Sequence, residues 1–143
     1  MTARVDFYVL ESDVPDGRLR LACRVTEKAY RAGHRVYLRA GSRDEISVLD
    51  ALLWTFSQCS FVPHHLHGVD DDPAPVTIGH GPPDSAQVQV VVSVAGKPIT
   101  NFADFARVAE IVGSEEIEKQ SGRARFKFYR ENGVEPATHE IRL

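Results

Sequence analysis

The residues with the clearest chemical potential lie between Lys119 and Arg130, in the segment KQSGRARFKFYR. This segment holds five basic side chains, three aromatic side chains and no acid. The whole chain has 17 Lys plus Arg against 20 Asp plus Glu, so removing these five leaves 12 against 20. A positive segment on an otherwise negative protein predicts a local docking surface for an anionic ligand, and not a general polyanion binder.

Helical geometry divides this segment into two faces, because each residue advances the direction of the side chain by about 100°. The predicted core face consists of Ile117, Ser121, Ala124 and Phe128. The opposite arc consists of Lys119, Arg123, Phe126, Lys127 and Arg130. Two interpretations of the arc remain open. It is a solvated surface whose ring packs on a neighbouring helix, or a pocket in which an aromatic anchor and cations bind carboxylates.

Single-stranded nucleic acid is an alternative ligand for the same arc. Basic side chains interleaved with Phe126, Phe128 and Tyr129 could contact phosphates and stack bases. The sequence pI of about 6.1 argues against this alternative, since dedicated nucleic-acid domains are usually basic overall. An acidic peptide that includes an aromatic residue suits the arc better.

Other residues with chemical potential do not form a recognisable site. His64, His65 and His67 precede the acidic residues 70–72 and could bind zinc, but no second half of a ligand set follows at a suitable spacing. The chain also lacks a glycine-rich phosphate turn, a nucleophile elbow and a spacing typical of a catalytic triad. We therefore predict no metal, no cofactor and no catalytic residue.

A second possible docking surface is the apolar segment 49–66. Trp54 falls off the apolar face of its predicted helix, and Phe61 and Val62 continue as an apolar loop where a polar loop would be usual. These side chains either pack on the sheet of their own domain or form a patch for a second protein.

Alternating strands and helices position these residues. We predict strands over residues 5–10, 35–39, 76–78 and 87–95, and an edge strand over 139–143. Helices are predicted over 17–32, from a capping box at Ser42 and Glu45 to about residue 56, over 102–112, and from an N-cap at Ser114 to about residue 132. The stretch from 59 to 84 is otherwise a long loop.

This order predicts a single domain over residues 1–143, of the α/β class, with three α/β/α layers and a mainly parallel sheet. Cys23 and Cys59 lack a metal-type spacing and are expected to be reduced thiols. A charged leader and a long apolar span are also lacking, so we expect a cytoplasmic protein that does not enter membranes.

Short motifs in the same order along the chain resemble the chi subunits of the bacterial DNA polymerase III holoenzyme, which belong to its clamp loader. The resemblance covers nearly the whole chain. It includes DFYVLE at 6–11, LDALLW at 49–54, SFVPH at 60–64, FADF at 102–105 and RARFKFYR at 123–130.

The resemblance implies a Rossmann-like fold without nucleotide binding, and a non-catalytic adaptor in DNA replication with little direct affinity for DNA. Chi subunits link the clamp loader to single-stranded-DNA-binding protein by gripping its acidic C-terminal tail, which ends in an aromatic residue. The tail positions of the family correspond here to Lys119, Arg123, Phe126 and Lys127, with Val112 as a pocket wall. A surface around Trp54 resembles the one that receives the psi subunit or a repair helicase, so a monomer or heterodimer is expected.

Overall fold

The computed structural model describes residues 3–55, 64–66, 75–83 and 88–143. Those residues contain seven strands, three α-helices and a short 3₁₀ turn at Phe102–Asp104. The strands are β1 (Arg4–Leu10), β2 (Val36–Arg39), β3 (His64–Leu66), β4 (Val76–Gly79), β5 (Val90–Ser93), β6 (Arg107–Val112) and β7 (Ala137–Ile141). The helices are α1 (Gly17–Arg31), α2 (Arg43–Thr55) and α3 (Glu116–Glu131).

The seven described strands form one sheet in the order β3-β4-β2-β5-β6-β1-β7, and every neighbouring pair is parallel. Helices α1 and α2 pack together on one face, whereas α3 packs on the other face against β6 and β1. Each face buries its own apolar cluster. The predicted class, a three-layer α/β fold of Rossmann-like architecture with a parallel sheet, is confirmed.

Local sequence signals account for several of these elements. All four residues of β5 are buried, as expected for a strand with neighbours on both sides and helices or loops over both faces. The predicted capping box of α2 is present in part. The Glu45 amide donates to the Ser42 hydroxyl at 3.3 Å as predicted, but the Glu45 carboxylate accepts from the amide of Gly41 at 2.9 Å and not from that of the N-cap residue Ser42. Helix α1 ends before Gly33, whose φ of 92° places it in the left-handed region.

The predicted helix over residues 102–112 is wrong. The structure has the 3₁₀ turn followed by β6, and five of the six β6 residues are buried. The side chains of β6 alternate between the two apolar clusters, with Ala109 and Ile111 in one and Val108 and Val112 in the other. A short apolar run that is buried on both faces lacks the period-two pattern that distinguishes an exposed strand from a helix.

The predicted N-cap at Ser114 is also wrong, because Glu115 precedes α3 and its side chain makes no capping hydrogen bond. Strand β5 is shorter than the strand predicted over residues 87–95. The other differences concern the edges of the sheet. Strand β3 adds three residues of parallel pairing with β4 inside the stretch predicted as a loop. Strand β7 is an edge strand, as predicted, and it begins two residues earlier than expected. No helix in the described part of the chain has the length and apolar character needed to cross a membrane.

A fully buried carboxylate, Asp6 of β1, ties the last three strands of the sheet together. One oxygen lies 2.9 Å from the Nε2 atom of His139 in β7, and the other accepts from the Nε atom of Arg107 in β6 at 2.9 Å. Arg4 approaches the same oxygen at 3.0 Å, and Arg107 also donates to the hydroxyl of Tyr8. Partners on both neighbouring strands satisfy this charge.

The surroundings of Asp6 give it a defined protonation state. Burial alone would raise the pKa of this carboxyl, but the hydrogen bond with His139 and the charge and hydrogen bond of Arg107 outweigh burial. The pKa of Asp6 is therefore below its ordinary value in the folded protein. A lowered folded pKa means that Asp6 contributes stability above its unfolded pKa, and that this contribution disappears as pH falls through the folded pKa.

We expect Asp6→Asn to lower the free energy of unfolding by about 1.5–3 kcal/mol at neutral pH, because the charge-assisted hydrogen bonds are lost. The deficit relative to the unmodified protein should shrink as the pH falls below about 4, because the carboxyl of Asp6 is then protonated in the unfolded chain before it is protonated in the folded protein. Urea unfolding at pH 7 and pH 3 measures both values, with Asp13→Asn, an exposed carboxylate, as the control. A deficit that stays constant or grows in acid would contradict the assignment.

Candidate functional site

Helix α3 presents a different face to the sheet from the one predicted. Ile117 is 71% exposed and Ala124 is also exposed, whereas Gly122, Arg125 and Tyr129 are buried. The helix is therefore rotated by about 100°, or one residue position, from the predicted orientation. The predicted core face is wrong because its choice by apolar character excluded Arg125.

Arg125 is inward because Glu110 of β6 neutralises it in the core. Only 2% of Arg125 is exposed, and its Nη1 atom donates to Oε1 of Glu110 at 2.7 Å. The other oxygen of Glu110 accepts from the hydroxyl of Tyr129 at 2.6 Å, and that hydroxyl accepts from the Ile99 amide at 2.8 Å. Both carboxylate oxygens are thus hydrogen-bonded, as burial of a charge requires.

The pKa shifts in this network follow from its burial. Burial raises the pKa of Glu110, while the charge of Arg125 and the hydrogen bond from Tyr129 oppose the rise. Burial also raises the pKa of Tyr129, and the adjacent carboxylate raises it further, so the hydroxyl keeps its proton and donates to Glu110. The network holds α3 in one rotational setting over the sheet.

Gly122 sets how closely α3 approaches the sheet. A Cβ atom at this position would lie 2.9 Å from Cγ2 and 3.1 Å from Cγ1 of Val112, which is tighter than side chains accept. The sequence predicted room for close approach here, and the group that uses the room is Val112. The same face of the helix brings the ring of Phe126 against Phe7 of β1, with ring centroids 5.3 Å apart.

An open groove of about 320 Å³ runs between α3 and the edge of the sheet, and we call it the α3 groove. It is lined by Phe7, Val9, Val112, Lys119, Gly122, Arg123, Phe126 and Thr138. The strand residues are neighbours in register, since Phe7 pairs with Thr138 and Val9 pairs with Val112. Its floor is therefore apolar, and its two cations both come from α3.

The two cations of the α3 groove differ in their partners. Arg123 is exposed and lies 3.3 Å from the carboxylate of Glu116. Lys119 is half-buried and has no carboxylate within 4.0 Å among the residues that the structure describes. An exposed ion pair contributes little free energy, so a ligand carboxylate could replace Glu116 at low cost.

The predicted arc is only partly assembled in the α3 groove. Lys119, Arg123, Phe126 and Val112 line it, whereas Lys127 and Arg130 do not. The side chain of Lys127 is 77% exposed and lies 3.8 Å from Glu131. Arg130 lies 3.5 Å from Glu135. These two cations extend the positive surface along α3 beyond the groove.

Sequence reasoning missed the sheet side of the α3 groove. Phe7, Val9 and Thr138 belong to β1 and β7, and nothing local in those strands indicates a binding surface. The alternation of β1, however, points Phe7 and Val9 to the same face as each other. Their place beside α3 depends on strand order, which is a property of the whole fold.

The second predicted surface is only partly within the described residues. Trp54 lies in the last turn of α2 and is 56% exposed. Phe61, Val62 and His67 lie outside the described residues. In the part of the chain that the structure describes, no group of three or more His, Cys, Asp or Glu side chains could hold a metal ion.

The side chains of the α3 groove suit ligand binding better than catalysis. Its ionisable side chains are a lysine and an arginine, and its hydroxyl group belongs to an exposed threonine. Such a site can take an apolar group on its floor and a carboxylate at its mouth. Its contents support recognition of an amphipathic anion.

Comparison with known proteins gives relatives that all belong to one family. Residues 1–137 match the family model described as DNA polymerase III chi subunit, HolC. The chain is 39% identical over 138 residues to a Pseudomonas aeruginosa protein named DNA polymerase III subunit chi, covering 96% of each chain. It is also 33% identical over 139 residues to the Escherichia coli K12 protein of the same name, covering 89% of this chain and 90% of that one.

We expect Gly122→Ala to destabilise the protein by about 1–2 kcal/mol, although alanine is the better helix former, because the new methyl group overlaps both methyl groups of Val112. In a Val112→Ala background the overlap is absent. There the same change should stabilise by about 1 kcal/mol, the difference in helix propensity. A double-mutant cycle by urea unfolding measures both effects. Equal effects of Gly122→Ala in the two backgrounds would contradict the close packing.

Proposed function

Because the chain belongs to the family of DNA polymerase III chi subunits, we propose that this DNA replication subunit is a non-catalytic adaptor that grips the acidic C-terminal tail of single-stranded-DNA-binding protein. The grip joins the clamp loader of the polymerase to DNA coated with that protein. The observation that carries the proposal is the α3 groove, which combines an apolar floor with two cations at its mouth.

The shape of the α3 groove suits a tail that ends in an aromatic residue with a free carboxylate. The terminal ring packs on the floor between Phe126 and Val112, where aromatic and aliphatic surfaces meet. The terminal carboxylate lies beside Lys119 and Arg123, the cations at the mouth. Ring and carboxylate belong to the same residue, so a single anchor satisfies both parts of the site.

The acids that precede the anchor follow the positive surface along α3. Lys119, Arg123 and Lys127 are spaced four residues apart, so their side chains follow one another at intervals of about 6 Å along the helix. Arg130 continues the surface for another turn. In this arrangement the groove cations bind the terminal carboxylate of the tail. Lys127 and Arg130 have the weaker role of attracting the acidic residues that precede it.

The interaction should be weak and sensitive to salt. Arg123, Lys127 and Arg130 each have an exposed carboxylate of this chain within 4.0 Å, so a ligand replaces existing ion pairs. Exchange between exposed ion pairs yields little net free energy, and dissolved salt screens what remains. Most of the affinity must therefore come from the buried ring.

Direct binding of single-stranded DNA by the same helix is the alternative function. Stacking of bases would need exposed aromatic faces, but Tyr129 is buried and Phe128 makes edge contacts with Phe102 and Tyr129. Phe126 packs against Phe7. Tyr129 and Phe128 are thus committed to the protein, and Phe126 is the one described aromatic side chain of α3 that lines the α3 groove. A single ring suits one terminal aromatic anchor better than a run of stacked bases, which favours the peptide.

A second partner is proposed at the end of α2. The exposed Trp54 is a large apolar side chain of the kind that anchors protein interfaces. We assign this surface, with Phe61 and Val62, to the psi subunit of the clamp loader or to a repair helicase. Polymerase activity belongs in this proposal to the assembly and not to this chain.

We expect Phe126→Ala to weaken binding of a labelled acidic peptide that ends in Phe by about thirtyfold, equivalent to about 2 kcal/mol, because the aromatic anchor loses its partner. Arg123→Ala removes an exposed charge and should weaken binding by about three- to tenfold with the melting temperature unchanged. Fluorescence anisotropy in low and moderate salt measures both variants.

The controls separate the groove from general charge effects. Arg43→Ala removes an exposed cation on α2 and should leave peptide affinity unchanged. Amidation of the peptide's C-terminus should cost as much as Arg123→Ala. Full affinity in both groove variants would refute the proposed site, and binding of an oligonucleotide in preference to the peptide would favour the alternative function.

A further inference from the structure

Helix α1 is more positive than α3. It contains Arg18, Arg20, Arg24, Lys28 and Arg31 and a single acid, Glu27, whereas α3 has five cations and three acids. The charge of α1 is less evident in the sequence because apolar residues separate its cations. The protein therefore has a second positive surface, on the opposite face of the sheet from α3.

Three cations of α1 form an exposed ridge. Arg20, Arg24 and Lys28 are four residues apart and exposed, and among the described residues none has a carboxylate within 4.0 Å. The other two cations of the helix are paired, since Arg31 lies 3.1 Å from Glu27 and Arg18 turns inward to Glu45 and Glu118. The ridge is thus open to an external anion.

The helix dipole does not explain this ridge. Cations stabilise the last turn of a helix, where Lys28 and Arg31 lie, but Arg20 lies in the first turn, where the dipole disfavours a positive charge. Arg24 is in the middle of the helix, where the dipole has little effect. Two of the three ridge cations therefore have no role in stabilising α1 through its dipole.

A groove of about 320 Å³ lies beside the ridge, between α1 and β7, and we call it the α1 groove. Leu21, Val25 and Ile141 provide an aliphatic floor, and Arg24, Lys28 and Arg142 provide three exposed cations. Among the described residues, Glu140 is the one acid in its lining. The α1 groove repeats the chemistry of the α3 groove, with an apolar floor beside cations.

We propose that the α1 groove is a second docking site for an acidic protein segment, one that inserts an aliphatic side chain between acids. Charge complementarity selects the acids, and the floor of Leu21, Val25 and Ile141 selects the aliphatic side chain. This site is separate from the α3 groove and stands whether or not the α3 groove binds a tail.

A nucleic acid is the less suitable occupant. Bases would stack on aromatic rings, and the ring in this groove is Tyr8, which is stacked with His139 at 4.9 Å and has the Arg107 guanidinium 5.8 Å from its centroid. An aliphatic floor offers no stacking surface.

The test uses a labelled peptide blocked at both ends, with the sequence acetyl-Asp-Glu-Asp-Leu-Asp-Glu-Asp-amide, so that it lacks the terminal carboxylate and ring proposed for the α3 groove. Binding to the full chain is measured by fluorescence anisotropy and mapped by amide chemical shifts. We expect Arg24→Glu with Arg142→Glu to weaken binding by about tenfold or more, and replacement of the peptide's Leu by Gly to weaken it as well. Shifts should centre on Val25, Lys28 and Ile141.

The matched control is Arg43→Glu with Lys97→Glu, which changes the net charge equally through exposed cations outside both grooves. That pair should change affinity by less than about twofold, as screening of distant charges requires. Three results would each overturn the α1 site. They are failure of the peptide to bind the unmodified chain, equal losses of affinity in the two double variants, and a loss of affinity in an Arg123→Glu variant of the α3 groove without a loss in the α1 double variant. Oligothymidine binding that depends on Arg24 and Arg142, without peptide binding, would assign the surface to nucleic acid instead.

Discussion

The buried ion pair between Glu110 and Arg125 governs the positions of the surrounding elements. A charge in a protein core is tolerated only with a close partner and satisfied hydrogen bonds, so Arg125 must point at the carboxylate that β6 presents. Tyr129, one turn further along α3, completes the carboxylate's contacts and also accepts from the Ile99 amide. The contacts of Glu110 with Arg125 and Tyr129 determine the rotation of α3, and the contact of Tyr129 with the Ile99 amide attaches the segment before β6 to the same buried network.

The composition of the α3 groove follows from that rotation. With Arg125 and Tyr129 inward, Phe126 comes to the border between core and solvent, and Lys119 and Arg123 come to the rim. A rotation of about 100° in the predicted sense would have put Ile117 inward and moved Phe126 into solvent. The absence of a side chain at Gly122 then sets the depth, because α3 can rest directly on Val112.

Patterns within single elements were sufficient for much of the fold, and contacts between elements account for the errors. The strand of residues 4–10, helix α1 and the Ser42 cap of α2 each carry their own signal, and the sequence predicts them within a residue or two. The predicted helix in place of β6 is wrong because both faces of that strand are covered by other elements, and the predicted core face of α3 is wrong because Arg125 has a buried partner on β6. Glu110 and Arg125 each look like surface residues alone, and only their pairing across the fold makes both of them core.

The edge strand β7 connects the two grooves physically. Thr138 faces the α3 groove, whereas Ile141 faces the α1 groove, so successive sides of one strand form a wall of each. A slip of one residue in the pairing of β7 with β1 would exchange the two sides and spoil both walls at once. The bond between Asp6 and His139, and the stacking of that ring on Tyr8, oppose the slip because His139 has these partners in only one register. The buried carboxylate of β1 therefore fixes the walls of the grooves on both faces of the sheet, although it lines neither groove.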